Sequence, residues 1–253
     1  MASPASSPGS KSLDGSVALV TGAGTRLGRA IAEALAARGC HLLLHAHRSR
    51  REAAALARKF RASGGRASAL TADLSKSAQA LGLAREAWRA FGRVDILDNS
   101  AAIFRPTPLE RLDAGELDAF LALNLRAPYL LSAELGRRMR RSGRGVIVNM
   151  ACVSALRPWK EFVPYSISKA GLLALTVGLA KLLAPEVRVN AVAPGTVLPP
   201  EEMPRAQREA IRKRLPLQRL GTPEDVVRAV LYLLESDFVT GQVLCVDGGR
   251  SIV

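Results

Sequence analysis

Ser16-Val17-Ala18-Leu19-Val20-Thr21-Gly22-Ala23-Gly24-Thr25-Arg26-Leu27-Gly28 joins an apolar, β-rich run to three glycines and then to an alanine-rich helical pattern. An uninterrupted apolar run of this length reads as a strand buried on both faces. Glycines let the backbone turn tightly and approach a ligand, and the free N–H groups opening the next helix attract anions. The stretch predicts a strand over Ser16–Thr21, a helix over Arg26–Arg38 and a phosphate-binding loop between them. Its spacing is not GxGxxG, because Gly22, Gly24 and Gly28 are separated by one and three residues.

The same alternation continues outward from this unit. Apolar runs predict strands over Cys40–Ala46, up to about Thr71, and over Val94–Asp98, Gly145–Met150, Val187–Ala193 and Gln242–Val246. Helical patterns lie between them at Arg50–Ala62, Ser75–Phe91, Asp113–Arg141 and Pro164–Ala184. Another starts at Pro223, capped by Thr222, and runs to Leu234. Strands separated by helices long enough for crossovers imply one α/β domain. It is a doubly wound, Rossmann-type parallel sheet of about seven strands with helices on both faces. Ligands then bind at the carboxyl ends of the strands. Residues 1–14 are expected to be a disordered tail, 15–253 the domain, and the proline- and charge-rich segment 198–221 a lid over the substrate.

The 253 residues carry 48% hydrophobic and 23% charged side chains, the balance of an ordinary globular protein. The most apolar segment, Leu172–Ala184, is broken by Lys181, so no membrane span is expected. A net charge of +14 invites a nucleic-acid reading, but aromatic residues amount to only 4%, too few for base-stacking platforms. No nucleic-acid partner is expected. Three cysteines without CxxC spacing, and no apolar signal core near the start, point to a reducing, cytoplasmic setting. His41, His45 and His47 share one strand without an added carboxylate, so no metal is expected.

A dinucleotide site for NAD usually places an acidic residue near the end of the second strand. Here the chain reads His45-Ala46-His47-Arg48-Ser49-Arg50-Arg51, with no carboxylate before Glu52. Arg48 can fork onto a ribose 2′-phosphate and Ser49 can add a bond, with His47 beside them. The alternative is a solvated arginine run. Cations at a helix start are unfavourable without an anion nearby, which favours NADP(H).

Tyr165-Ser166-Ile167-Ser168-Lys169 sets a phenol and an ammonium on one helix face. A lysine beside a tyrosine stabilises the phenolate and is expected to draw its pKa down towards neutrality.

With these features together, the chain resembles the short-chain dehydrogenase/reductase family over nearly its whole length. The matching elements are the Thr21–Gly24 turn, Asp73-Leu74, Asn99-Ser100-Ala101, Asn124, Tyr165 with Lys169, Pro194-Gly195 and Val246-Asp247-Gly248-Gly249. It looks most like the pteridine reductase and dihydromonapterin reductase branch, where a glycine of the turn becomes arginine, as at Arg26. The resemblance implies a catalytic set of Tyr165, Lys169, Asn124 and Cys152. Tyr165 would move the proton, Lys169 would hold the nicotinamide ribose, and Asn124 would anchor Lys169 through a water.

It further implies that Gly22, Thr25, Arg26, Leu27 and Gly28 meet the cofactor phosphates and that Asp73 and Leu74 meet adenine. Asn99, Ser100 and Ala101 would line the ribose side, and Pro194, Gly195, Thr196 and Val197 would meet the carboxamide. Arg26, Phe104, Cys152 and Tyr165 would touch the substrate. Cys152 departs from the serine or aspartate found there in relatives, and Ser100 from asparagine. The implied protein is an NADPH-dependent reductase of a pteridine, or of another aldehyde or ketone such as a 3-oxoacyl group, assembled as a homotetramer. A catalytically silent NADP(H) sensor is the rival reading.

Overall fold

The computed structural model describes residues 12–200 and 203–253. Seven parallel strands form one sheet in the order β3-β2-β1-β4-β5-β6-β7. They are β1 (Val17–Thr21), β2 (His41–Ala46), β3 (Ala67–Thr71), β4 (Ile96–Asn99), β5 (Gly145–Met150), β6 (Val187–Pro194) and β7 (Val243–Val246). Between them run α1 (Arg26–Ala37), α2 (Arg50–Ala62), α3 (Ser77–Phe91), α4 (Ala114–Leu121), α5 (Ala127–Arg141), α6 (Val163–Leu183), α7 (Arg205–Arg214) and α8 (Pro223–Glu235). The doubly wound fold expected from the sequence is the fold observed, and the order reverses between β1 and β4.

Helices cover both faces because every residue of β1 is buried. Ala18 and Val20 join the core under α1, α2 and α8. Val17 and Leu19 join the opposite core under α3, α5 and α6. This is period-two alternation in a strand with no polar side to show it.

Three details differ from the sequence expectations. The expected tail, 1–14, falls mostly outside the described residues, but Ser12–Asp14 are in place: Leu13 is buried and its carbonyl accepts from Cys40 Sγ at 3.3 Å. The tract over Asp113–Arg141 is α4 and α5 joined by a π-helical turn at Ala122–Arg126. And α6 is, by length and composition alone, apolar enough to cross a membrane. Its apolar character has two local sources: the inner face packs Leu172, Leu179 and Leu183 into the core, while Val163, Ile167 and Val177 on the outer face are exposed.

Candidate active site

The strand ends at the switch point open into one cleft of about 1570 Å³, larger than the ~300–1,000 Å³ of a small-molecule pocket and roomy enough for a dinucleotide plus a substrate. Its phosphate end is set by backbone. Gly22 has φ +68°, and a Cβ there would lie 3.0 Å from Ala101 Cα. A Cβ on Gly28 would lie 2.4 Å from the Gly22 carbonyl oxygen, so helix α1 approaches the turn as closely as only glycine allows. Thr25 stands at the N-cap of α1 without a side-chain bond to the helix. Open N–H groups beside a glycine cradle fit a pyrophosphate.

Buried His45 fixes this turn. The Ala23 N–H donates to the His45 carbonyl at 2.9 Å, Gly22 N–H lies 3.4 Å from Nδ1, and Nε2 lies 3.0 Å from the Ala72 carbonyl. Burial holds the imidazole below its ordinary pKa, and the neutral ring can serve both contacts. His45 is thus bonded to the loop. His47 lies beyond the end of β2, exposed, 3.8 Å from Asp73 Oδ1. Asp73 is held below the usual carboxylate range, first by the Ser75 hydroxyl that donates to it at 2.7 Å.

Arg48 and Ser49 line the cleft beside Thr25, Leu27, Leu74 and Ala101. No carboxylate ion-pairs with Arg48 among the described residues. Arg26 has φ +52°, the left-handed region that favours glycine, and its guanidinium donates to the carbonyl of Leu198, itself at φ +51°. The tie crosses the cleft mouth and joins the phosphate turn to the segment expected as a lid. That segment, described except for 201–202, carries α7 and contributes Met203 and Gln207 to the cleft wall.

At the other end, helix α6 brings Tyr165 and Lys169 to the floor, 7% and 2% exposed. Lys169 Nζ donates to the Met150 carbonyl at 2.6 Å and lies 5.8 Å from the Tyr165 ring centroid. Burial pulls the ammonium down to about 8. Tyr165 is shifted opposite to the sequence expectation: burial, then the adjacent Cys152 sulfur, pushes the phenol well above its ordinary value. Desolvation of the phenolate outweighs the lysine, so Tyr165 holds its proton at neutral pH. Cys152 is buried, and its sulfur accepts from the Ser154 N–H at 3.5 Å.

Asn124 makes no direct hydrogen bond to Lys169. It sits in the π turn, fully buried, with Oδ1 accepting from the Ile103 N–H at 2.9 Å and Nδ2 donating to the Ile103 carbonyl and to Ser168 Oγ, both at 3.1 Å. It positions the loop after β4 against the helix that carries Tyr165. Asn99 does not line the cleft: its Nδ2 donates to Asn149 Oδ1 at 2.8 Å and to Ser132 Oγ at 3.2 Å beneath the sheet. Ser100 does line it, with its hydroxyl on Asp98 Oδ1. Asp98 is buried, its other oxygen lacks a partner, and burial pushes its carboxyl up to about 7.

Phe104 stacks on Phe162 (centroids 4.7 Å, planes 11° apart) and meets Tyr165 edge-on at 4.9 Å. Trp159 closes the group, edge-on to Phe162 at 5.7 Å. Sequence reading passed over Trp159 and Phe162, although the three-residue steps 159, 162 and 165 leading into the Tyr–Lys pair are a usable signal. Arg250 also lines the cleft, with Pro194, Gly195, Thr196 and Val197. Nothing local in the sequence marks it.

The chain matches the family model described as enoyl-(acyl carrier protein) reductase over residues 22–251. It is 36% identical over 280 residues to pteridine reductase 1 of Leishmania tarentolae, spanning 93% of this chain and 96% of that one. Its identity to the 3-oxoacyl-(acyl-carrier-protein) reductase of Thermotoga maritima is 32% over 245 residues, spanning 95% and 99%. The crystal structure of FolM alternative dihydrofolate reductase 1 from Brucella canis, complexed with NADP, aligns with a TM-score of 0.89 at 33% identity over 96% of each chain. Relatives with different substrates thus align about equally well, and the pteridine branch is not singled out among them.

Proposed function

The chain belongs to the short-chain dehydrogenase/reductase family of oxidoreductases, and from that premise we propose that it is an NADPH-dependent reductase of a flat heterocycle of the dihydropterin class. The observation that carries this reading is the aromatic wall of Phe104 and Phe162 standing beside a phenol that keeps its proton. A planar ring can slide along that wall with its reducible C=N bond at Tyr165.

NADPH supplies the hydride when bound. The turn at Gly22 and the start of α1 would hold its pyrophosphate, and Arg48 with Ser49 the 2′-phosphate. The absence of an acidic residue at the end of β2, and the NADP complex of the Brucella relative, support this choice. Lys169, fixed by Met150, would hold the nicotinamide ribose. Tyr165 gives its O–H proton to the substrate nitrogen or oxygen. Desolvation makes the phenol a weaker acid, so the transfer waits for the negative charge that hydride arrival develops on the substrate atom. Asn124 and Ser168 keep α6 in register with the loop bearing Phe104.

A second reading, reduction of an aldehyde or ketone such as a 3-oxoacyl group, is favoured by Cys152. A thiol can donate one weak bond to a carbonyl but cannot grip a pterin ring as a carboxylate would. NADPH oxidation followed at 340 nm with dihydrobiopterin beside simple ketones tests both; turnover of ketones alone would overturn the first.

Assembly as a homo-oligomer belongs to the same proposal. Val163, Ile167 and Val177 lie exposed along the outer face of α6, an apolar stripe suited to a second copy. Light scattering on the purified chain gives the subunit count.

A further inference from the structure

Arg250 lies in the 3₁₀ turn Arg250–Ile252 after β7, and its half-buried side chain enters the cleft at the aromatic end. Its guanidinium carbon stands 4.2 Å above the centre of the Trp159 ring. Its hydrogen-bond acceptor is neutral, the Thr196 hydroxyl. The carboxylate that acts on it electrostatically is Asp247, whose two oxygens accept from the N–H groups of Gly249 (2.9 Å) and Ser251 (2.7 Å). Among the described residues no carboxylate ion-pairs with Arg250. Burial lowers its affinity for the proton, against an opposing pull from Cys152 and Asp247.

A guanidinium over an indole and bonded through one nitrogen to Thr196 keeps further N–H donors, in the planar fork that matches a carboxylate. We propose that Arg250 is the anion anchor of the substrate pocket, so that the substrate of this reductase carries a carboxylate beside its planar, reducible part. The proposal rests on the reductase reading for what is reduced, but not for the anchor itself. The Trp159–Arg250 stack sets one side of the anion site, and Thr196 holds the guanidinium at its inner edge. Arg26 and Arg48 line the phosphate end of the same cleft; of the cations nearer the aromatic residues, Arg105 is paired with Glu116 and Lys169 donates to the Met150 carbonyl.

Trp159 also reports on its neighbour. In a Trp88→Phe background, full-length protein saturated with NADP+ is titrated with benzoate and with benzamide, and tryptophan emission is followed. Benzoate should bind roughly ten- to a hundredfold more tightly than benzamide, the range of a charge-assisted pair of hydrogen bonds. Arg250→Met should erase the difference and Arg250→Lys restore part of it. Equal affinity for the two probes, no binding of benzoate, or an unchanged preference in Arg250→Met would each overturn the anchor.

A kinetic arm uses 4-carboxybenzaldehyde and its methyl ester. Arg250→Met should lower kcat/KM about tenfold or more for the acid and leave the ester and the KM for NADPH within about twofold. An equal loss for both aldehydes, or a raised KM for NADPH, would also overturn it. Should the wild-type protein reduce nothing while the benzoate preference holds, the reductase reading fails and the anchor stands.

Discussion

The two ends of the cleft are built on different principles. At the phosphate end the positions come from backbone: Gly22, Gly28 and the opening turn of α1, braced by His45, with Arg48 and His47 reaching in from exposed positions. At the catalytic end they come from buried side chains bonded to one another and to the main chain, with Tyr165, Lys169, Asn124 and Cys152 all at or below 7% exposure. An exposed arginine can be exchanged at little cost to the fold. A buried phenol cannot. On the proposed function, cofactor choice would rest on replaceable surface groups and the proton chemistry on an interlocked body, and four measurements can break or sharpen that contrast.

The largest effect is expected at Tyr165→Phe, which removes one hydroxyl from the buried end. Turnover of any substrate should fall by roughly a thousandfold or more, with NADPH affinity, set at the far end, within about threefold. Retained activity, or lost cofactor binding, would dissolve the division between the ends.

The next test asks what burial costs. Asp98, under the Ser100 hydroxyl, keeps its proton in the folded chain up to about pH 7, whereas in the unfolded chain it ionises at its ordinary value. The native state thus binds the extra proton between those limits, and stability must fall as pH rises through the window. Asp98→Asn removes the titration. Relative to wild type, its unfolding free energy from denaturant midpoints should improve by about 2–3 kcal/mol between pH 5 and pH 8. A parallel pH profile for the two proteins would show that Asp98 is ionised at little cost.

Arg48→Ala probes the replaceable end. NADPH affinity should fall roughly ten- to a hundredfold with NADH unchanged, and the melting temperature should barely move. The smallest change is expected at Cys152. Cys152→Asp should raise kcat/KM for dihydrobiopterin several-fold and leave a simple ketone unimproved, while Cys152→Ser should do the reverse. Identical responses of the two substrates would mean that the thiol does not discriminate between them.

How much of this was legible beforehand follows the same division. The strands, the glycine turn and the Tyr165–Lys169 pair are local patterns, and each stands where periodicity and spacing placed it. What escaped was decided by partners distant in sequence. Asn99 reads as a cleft residue by proximity, yet its amide turns under the sheet because Asn149 of the neighbouring strand and Ser132 of α5 offer bonds there. The direction of the Tyr165 shift depends on how deeply α6 and the Cys152 loop enclose the phenol, which no four-residue spacing reveals. Arg250 becomes visible only once the chain after β7 returns across Trp159.

The π turn at Ala122–Arg126 carries one more consequence. Such a turn holds a single surplus residue, and the helical segments on either side keep the orientation of an uninterrupted α-helix. Removing one residue there should therefore let α4 and α5 fuse smoothly, with Leu131, Leu135 and Met139 still facing the core, while the amide of Asn124 swings off the Ile103 backbone. The site offers a one-codon deletion that separates folding from activity.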